Sequence, residues 1–203
     1  KLKTLLANEK ADIVMLNSIT LSFLIPKIKK ELNNKVICFV RETFPENGCS
    51  SMLNKYRNLL NKSDAVLFIS DYDRHLFNLN IKHSVTVKNS VPDNFFEAQD
   101  ANSSLTALNL SKNSNDFYVL FAGGTSQLKG ADLMADAMNY LSENIHLLLC
   151  GCTETDGKKI FGEFGNRVHY LGILSDMIPA YTVCDTLVFP SKKAHQARPV
   201  FES

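Results

Sequence analysis

Residues 117–131 run Phe117-Tyr118-Val119-Leu120-Phe121, then Ala122-Gly123-Gly124-Thr125-Ser126-Gln127-Leu128, then Lys129-Gly130-Ala131. The first part is a run of β-forming residues and predicts a buried strand. The glycine pair and the polar residues after it predict a loop, and a helical pattern follows the lysine. A strand, a glycine loop and a helix N-terminus together favour anions, because backbone N–H groups point outward and the helix dipole adds partial positive charge. Lys129 adds a full charge, so the stretch predicts a site for a phosphorylated ligand.

Strands and helices alternate along the rest of the chain. Short apolar runs predict strands within residues 11–18, 36–40, 65–69, 85–87, 145–150, 168–171 and 185–189. Helical spacing of apolar residues predicts helices within residues 20–32, 51–60, 72–77, 131–141, 158–164 and 176–183. Pro26 is tolerated only near a first turn, so the first helix is expected to start late, and Ser175 is predicted as the N-cap of the last. Strands that are apolar on both faces indicate parallel sheets covered on both sides.

The composition changes at residues 100–116, which are rich in asparagine and serine. We therefore place a domain boundary near Pro92–Glu97, with a first domain at residues 1–95 and a second at residues 96–203. The predicted fold is α/β, with two Rossmann-like, doubly wound parallel-sheet domains that face a cleft. Both ends of the chain interrupt helical patterns, so we expect both domains to be incomplete.

Composition excludes several classes of protein. The net charge is +1 over 203 residues, so no overall field favours nucleic acid. No apolar run approaches the roughly 20 residues that a membrane-spanning helix needs. Five cysteines, an odd number, indicate free thiols in a reducing compartment, so we expect a cytoplasmic protein. Lys27, Lys29 and Lys30 could contact the inner face of an anionic membrane, and a solvated helix face explains them as well.

A series of short motifs begins in the opening stretch and continues to the end of the chain. The motifs are Phe121–Gly124, Lys129-Gly130, Leu149–Gly151, Val168–Gly172, Ile178–Tyr181, Cys184-Asp185, Val188–Ser191 and Arg198–Glu202. In order and spacing they resemble the C-terminal half of a family 4 (group 1) glycosyltransferase of the two-domain GT-B architecture. Asn89-Ser90-Val91-Pro92 resembles the junction between the domains of that family, with Ser90 where glycine is usual. The resemblance covers nearly all of residues 117–202 and is diffuse over residues 1–92.

The resemblance implies a retaining hexosyltransferase. Such an enzyme moves a sugar from a nucleoside diphosphate sugar to a carbohydrate or lipid-linked acceptor, in the synthesis of surface polysaccharides or other glycoconjugates. It implies no metal and no other cofactor. The protein would bind and orient the substrates and stabilise the leaving diphosphate.

The resemblance also implies roles for individual residues. Gly123 and Gly124 would let the backbone approach the pyrophosphate of the donor. Lys129 would pair with that pyrophosphate and stabilise the charge that grows on the leaving group. Glu202 would bind the hydroxyls of the donor ribose, and Lys129 and Glu202 are therefore the expected catalytic pair.

The sequence also departs from the family pattern near its end. Ala194 stands where the family has the first of two glutamates, and no arginine precedes Lys129 in the glycine loop. His195 and Arg198 lie where the family contacts the donor sugar, so they could supply the missing charge. These departures keep open an alternative, a non-catalytic nucleotide-binding module or a partner subunit of an active transferase. A sugar-nucleotide epimerase would need a convincing acidic pair, which the sequence does not offer.

Two further patterns in the first domain could carry chemistry. Arg41 and Glu42 end a predicted strand and should face the cleft, so they are candidates for the acceptor side. The simpler alternative is that they form a surface ion pair. Asp71-Tyr72-Asp73 spells a metal-binding DxD pattern, but it opens a predicted helix where Ser70 or Asp71 is an ordinary N-cap. We therefore expect no metal site there.

Overall fold

Two parallel β-sheets of four strands each carry the fold in the computed structural model. The structure describes residues 4, 11–45, 50–97, 99–192 and 197–203. The chain divides into two compact units, one ending at Ser90 (unit 1) and the other beginning at Val91 (unit 2). The predicted α/β class with two parallel sheets is confirmed.

Unit 1 has strand order β1-β2-β3-β4, and every neighbouring pair is parallel. Its strands are β1 (Ile13–Leu16), β2 (Lys35–Val40), β3 (Ala65–Phe68) and β4 (Ser84–Thr86). Its helices are a 3-10 helix (Ile19–Leu24), α1 (Ile25–Leu32), α2 (Ser50–Leu60) and α3 (Asp71–Phe77). Pro26 lies in the first turn of α1, so the predicted late start of this helix is confirmed.

The core of unit 1 lies on one face of its sheet. Alternate residues of β2 point to this face, where Val36, Cys38 and Val40 are fully buried. Helix α1 is held against the sheet by a polar contact as well, because Lys29 Nζ donates to both carboxylate oxygens of Asp64 at 2.7 and 2.8 Å. The same carboxylate accepts the Val36 N–H at 2.7 Å. The hydrogen bond from Lys29, aided by that from Val36, holds the pKa of Asp64 below its usual value.

Unit 2 has strand order β7-β6-β5-β8, again with every neighbouring pair parallel. Its strands are β5 (Phe117–Phe121), β6 (Ile145–Cys150), β7 (Val168–Gly172) and β8 (Thr186–Leu187). Its α-helices are α4 (Ala101–Ala107), α5 (Ala131–Met138), α6 (Glu154–Phe161), α7 (Ile178–Val183) and α8 (Arg198–Glu202). Three 3-10 helices span Asp93–Phe96, Gln127–Lys129 and Gly162–Arg167. No helix in the described ranges combines the length and the apolar character needed to cross a bilayer.

Helices cover both faces of the unit 2 sheet. One apolar cluster joins Phe121 and Leu149 to residues of α5 and α6. The other joins Leu120 and Leu148 on the opposite face to α7 and to leucines in and after α4. Successive strand residues point to opposite faces, so each strand contributes to both clusters.

One helix of unit 2 was not predicted, and two local predictions differ from the structure. The polar residues 100–116 include helix α4, which Asp100 caps by accepting the Ser103 N–H at 2.7 Å. The helix predicted at residues 158–164 instead begins at Glu154, because Thr153 caps it. Ser175 is not an N-cap, since α7 begins at Ile178 and the Ile178 N–H donates to Asp176 Oδ1 at 3.0 Å.

Replacing Asp64 with asparagine should remove a stabilisation that depends on pH. A folded-state pKa below the unfolded value stabilises the fold above the unfolded pKa of about 3.9, and this contribution is lost as the pH falls through the folded pKa. Both side chains of the pair are more than a third exposed, so the loss at pH 7 should be about 0.5–1 kcal/mol. Urea unfolding of Asp64→Asn at pH 7 and pH 3 measures it, with the exposed Asp136→Asn as control. Equal losses at both pH values would contradict this account.

Gly130→Ala should destabilise unit 2 through a backbone collision. Gly130 has φ of 89°, and a Cβ there would lie 2.2 Å from the Pro190 carbonyl oxygen. Gly172 is the control, because its φ is also positive, at 74°, while its Cβ would meet nothing within 4 Å. A positive φ alone costs alanine about 1 kcal/mol, so Gly130→Ala should lower the urea midpoint clearly more than Gly172→Ala. Far-UV circular dichroism gives both midpoints, and equal midpoints would refute the collision.

Candidate functional site

A cleft of about 580 Å³ opens at the carboxyl edge of the unit 2 sheet. Ligands of parallel α/β sheets bind at this edge. We call it the edge cleft, and all of its lining residues belong to unit 2. Three groups of lining residues lie at or after the ends of strands β5 (Ala122), β6 (Cys150 and Gly151) and β7 (Ile173 to Met177). The others lie on helices α7 (Tyr181) and α8 (Arg198, Pro199 and Glu202) or before helix α4 (Pro92, Asn94 and Phe95).

The glycine loop packs on the backbone beside the edge cleft. Gly124 has φ of 58°, its N–H donates to the Cys150 carbonyl at 2.9 Å, and a Cβ would lie 2.5 Å from Gly151 O. A Cβ on Gly123 would lie 2.1 Å from the fully buried ring of Phe121. Both glycines are therefore required by packing, whatever ligand the loop binds.

The same loop presents unpaired donors. Within the described residues, the backbone N–H groups of Gly123 and Thr125 donate to no acceptor. Unpaired N–H groups on a strand-to-helix loop can receive an anion, and the phosphate site here stays a prediction.

Lys129 lies in the turn before helix α5. It is the last residue of the 3-10 helix Gln127–Lys129, and α5 begins at Ala131 after the left-handed Gly130. The side chain is partly exposed, is absent from the lining of the edge cleft, and has no ion-pair partner among the described residues. A charge is therefore available beside the glycine loop.

Glu202 enters the edge cleft from α8 with both carboxylate oxygens engaged. Arg198 Nη2 lies 2.6 Å from Oε1, and the Tyr181 hydroxyl donates to Oε2 at 3.0 Å. Only 9% of the Glu202 side chain is exposed, against 58% for Arg198. The structure thus brings two predicted donor residues, Arg198 and Glu202, into direct contact.

Tyr181 is the residue that the sequence analysis missed. It belongs to the motif Ile178–Tyr181, but its spacing gave no sign that its hydroxyl reaches Glu202. Burial, and then the hydrogen bond to Glu202, raise the pKa of Tyr181 well above its usual value. The phenol therefore stays protonated and remains a donor.

The predicted residue His195 lies outside the described residues, as does Ala194. Its role stays a prediction.

The acceptor-side candidates in unit 1 occupy different environments. Glu42 Oε2 accepts the backbone N–H groups of Ile19 and Arg41, both at 3.0 Å, and its Oε1 accepts the Ser18 hydroxyl. The carboxylate therefore ties together the segments that follow β1 and β2. Arg41 is exposed, with its guanidinium 5.5 Å from the centre of the Phe39 ring, and the described contacts show no ion pair between Arg41 and Glu42.

The aspartates of the DxD pattern act within the fold. Asp73 accepts the Ser70 hydroxyl at 2.5 Å and the Phe44 N–H at 3.2 Å, and is fully buried. Asp71 accepts the Thr86 hydroxyl at 2.6 Å. The described part of the chain contains no group of three side chains that could hold a metal ion.

The sequence of this part of unit 2 matches a known family. Residues 116–203 match the family model described as glycosyl transferases group 1. No curated protein matches the chain.

Solved structures share the fold of this chain. Anabaena Alr3699/HepE, in complex with UDP and glucose, has a TM-score of 0.79 at 18% identity, over 98% of this chain and 57% of HepE. A glycosyltransferase from Rickettsia africae has a TM-score of 0.73 at 17% identity, over 99% of this chain and 57% of that one. Trehalose-6-phosphate from Escherichia coli, with UDP-2-fluoro glucose bound, has a TM-score of 0.63 at 14% identity, over 99% of this chain and 57% of that one. The chain thus spans little more than half the length of each, and the likeness establishes the GT-B fold.

Cys150 should resist alkylation in the folded protein although it lines the edge cleft. Burial raises its pKa to about 12, so about one molecule in ten thousand carries the reactive thiolate at pH 8. Mass spectrometry after iodoacetamide treatment at pH 8 should show Cys150 unmodified in the native protein and fully modified in urea. Rapid native modification would mean that the floor of the cleft is open to solvent.

Proposed function

We propose that this protein transfers a hexose from a nucleoside diphosphate sugar to a carbohydrate or lipid-linked acceptor. The observation that carries the proposal is that Tyr181 and Arg198 hold the Glu202 carboxylate in the edge cleft. The surrounding sequence matches the family model of group 1 glycosyl transferases. A buried carboxylate with free lone pairs suits the paired hydroxyls of a ribose.

The edge cleft and the glycine loop fit adjoining parts of one nucleotide. Ala122 lines the cleft, and the free N–H groups of Gly123 and Thr125 follow it directly in the chain. A ligand with its base and ribose in the cleft would therefore carry its diphosphate toward the loop and toward Lys129. HepE structures contain UDP and UDP-glucose, so UDP is the first nucleotide to test.

Catalysis in this proposal is electrostatic and uses no metal. Loss of the sugar leaves negative charge on the diphosphate, which Lys129 and the loop N–H groups would stabilise. Arg198 is largely exposed in the cleft and would supply the charge that a loop arginine would otherwise give. We further propose retention of configuration, with His195 at the sugar and Arg41 or Glu42 toward the acceptor.

The setting of the reaction is also a proposal. Synthesis of surface polysaccharide or another glycoconjugate in the cytoplasm would place a lipid-linked acceptor at the inner face of the membrane. Lys29 is paired with Asp64, whereas Lys27 and Lys30 are exposed on α1 and could make a peripheral contact with anionic lipid.

A non-catalytic nucleotide-binding module is the second candidate. It is favoured because Arg198 and Glu202 neutralise each other and no arginine stands in the glycine loop. Calorimetric titration of the full-length protein with UDP, GDP and ADP, followed by a donor-hydrolysis assay, separates the two. Binding without turnover would support the module and exclude the transferase.

Lys129→Ala should weaken diphosphate binding selectively. Loss of a charge-assisted contact should raise the Kd for UDP about ten- to hundred-fold and leave the Kd for uridine unchanged. Lys159→Ala is the control, since Lys159 pairs with Asp156 on α6 and does not line the cleft. Isothermal titration measures each Kd, and wild-type affinity of Lys129→Ala for UDP would remove Lys129 from the site.

A further inference from the structure

The hydrogen bond from Tyr181 to Glu202 joins the short helix α8 to the body of unit 2. Arg198 cannot make this connection, because it lies on the same five-residue helix as Glu202 and would move with it. Among the described side chains, the Tyr181 hydroxyl is therefore the group that fixes Glu202 Oε2 relative to the sheet.

Tyr181 itself is held firmly. Its backbone N–H donates to the Met177 carbonyl at 3.0 Å, and its ring lies 6.0 Å from that of Phe95 at an interplanar angle of 53°. Ala180 and Val183, on the same helix, are buried in the apolar cluster against β5 and β6. Tyr181 therefore stands on a helix that is packed against the sheet.

We propose that Tyr181 is a positioning residue that holds the Glu202 carboxylate in the orientation that receives the ribose hydroxyls of the donor. This inference rests on the proposed function. The Tyr181 hydroxyl uses one lone pair of Oε2, and a carboxylate oxygen has two, so Oε2 can still accept a hydrogen bond from a ligand. A carboxylate that is ordered before binding loses less rotamer freedom on binding, which favours affinity.

The position of the pair favours this role over a purely structural link between two helices. Both residues line the edge cleft, so the hydrogen bond lies at the surface that a ligand would contact. If the hydrogen bond served only stability, its loss would not affect nucleotides with and without ribose hydroxyls differently.

Tyr181→Phe in the full-length protein tests the inference, with UDP and 2′,3′-dideoxy-UDP as probes. The variant keeps the ring and loses the hydroxyl. Its Kd for UDP should rise about three- to ten-fold, the usual effect of one hydrogen bond, and its Kd for dideoxy-UDP should not change. Tyr140→Phe is the matched control, because Tyr140 is 82% exposed and lies outside the cleft lining.

A double-mutant cycle identifies the route of the effect. If Tyr181 acts through Glu202, Tyr181→Phe should leave the Kd for UDP unchanged in a Glu202→Ala background. Equal weakening of UDP and dideoxy-UDP, or the same loss in both backgrounds, would overturn the positioning role. Thermal melting followed by circular dichroism confirms that each variant is folded.

The outcomes also distinguish a failure of this inference from a failure of the proposed function on which it rests. If the wild-type protein binds UDP, and Tyr181→Phe binds it equally well, the role of Tyr181 is refuted while the proposed function stands. If the wild-type protein binds none of UDP, GDP and ADP, the proposed function and the role of Tyr181 are both refuted.

Discussion

Backbone-to-backbone contact between three loops determines the carboxyl edge of the unit 2 sheet. The loop after β5 meets the end of β6 at Gly124 and Gly151, and it meets the loop after β8 at Gly130 and Pro190. Neither contact leaves space for a side chain. The loop is consequently fixed on both sides, which places Ala122 in the edge cleft and Lys129 in a turn beside it.

Charge in the edge cleft is arranged around one carboxylate. Glu202 is almost fully buried, yet it is satisfied, because Arg198 and Tyr181 each contact one of its oxygens. A buried carboxylate without such partners would be costly. A diphosphate bound near the glycine loop, as proposed, would compete with Glu202 for Arg198, and its binding would then be coupled to the internal ion pair.

The sequence predicted the elements whose signal is local. The strand at residues 117–121, the glycine loop and the effect of Pro26 on α1 follow from periodicity and backbone stereochemistry, and the structure agrees. Helix α4 was missed because its residues are polar, and its stability comes from the Asp100 cap and from leucines that pack on unit 2. A cap and a packing face of this kind depend on the tertiary fold.

The side-chain contacts of the sites were harder to predict for the same reason. The contact between Tyr181 and Glu202 spans 21 positions of sequence, and that between Ser18 and Glu42 spans 24. Family resemblance pointed to Glu202 and Arg198 but carried no information on their mutual contact. From the sequence, Glu42 was expected to face the cleft with Arg41 or to form a surface ion pair with it, whereas the fold uses its carboxylate to join two segments.

A crystal structure of the full-length protein with UDP bound would test the central claim most directly. We predict that the ribose hydroxyls lie within hydrogen-bonding distance of Glu202 while Tyr181 keeps its contact with Oε2, and that the phosphates lie against Gly123, Thr125 and the ammonium group of Lys129. A nucleotide bound away from the edge cleft, or phosphates out of reach of Lys129, would contradict the account.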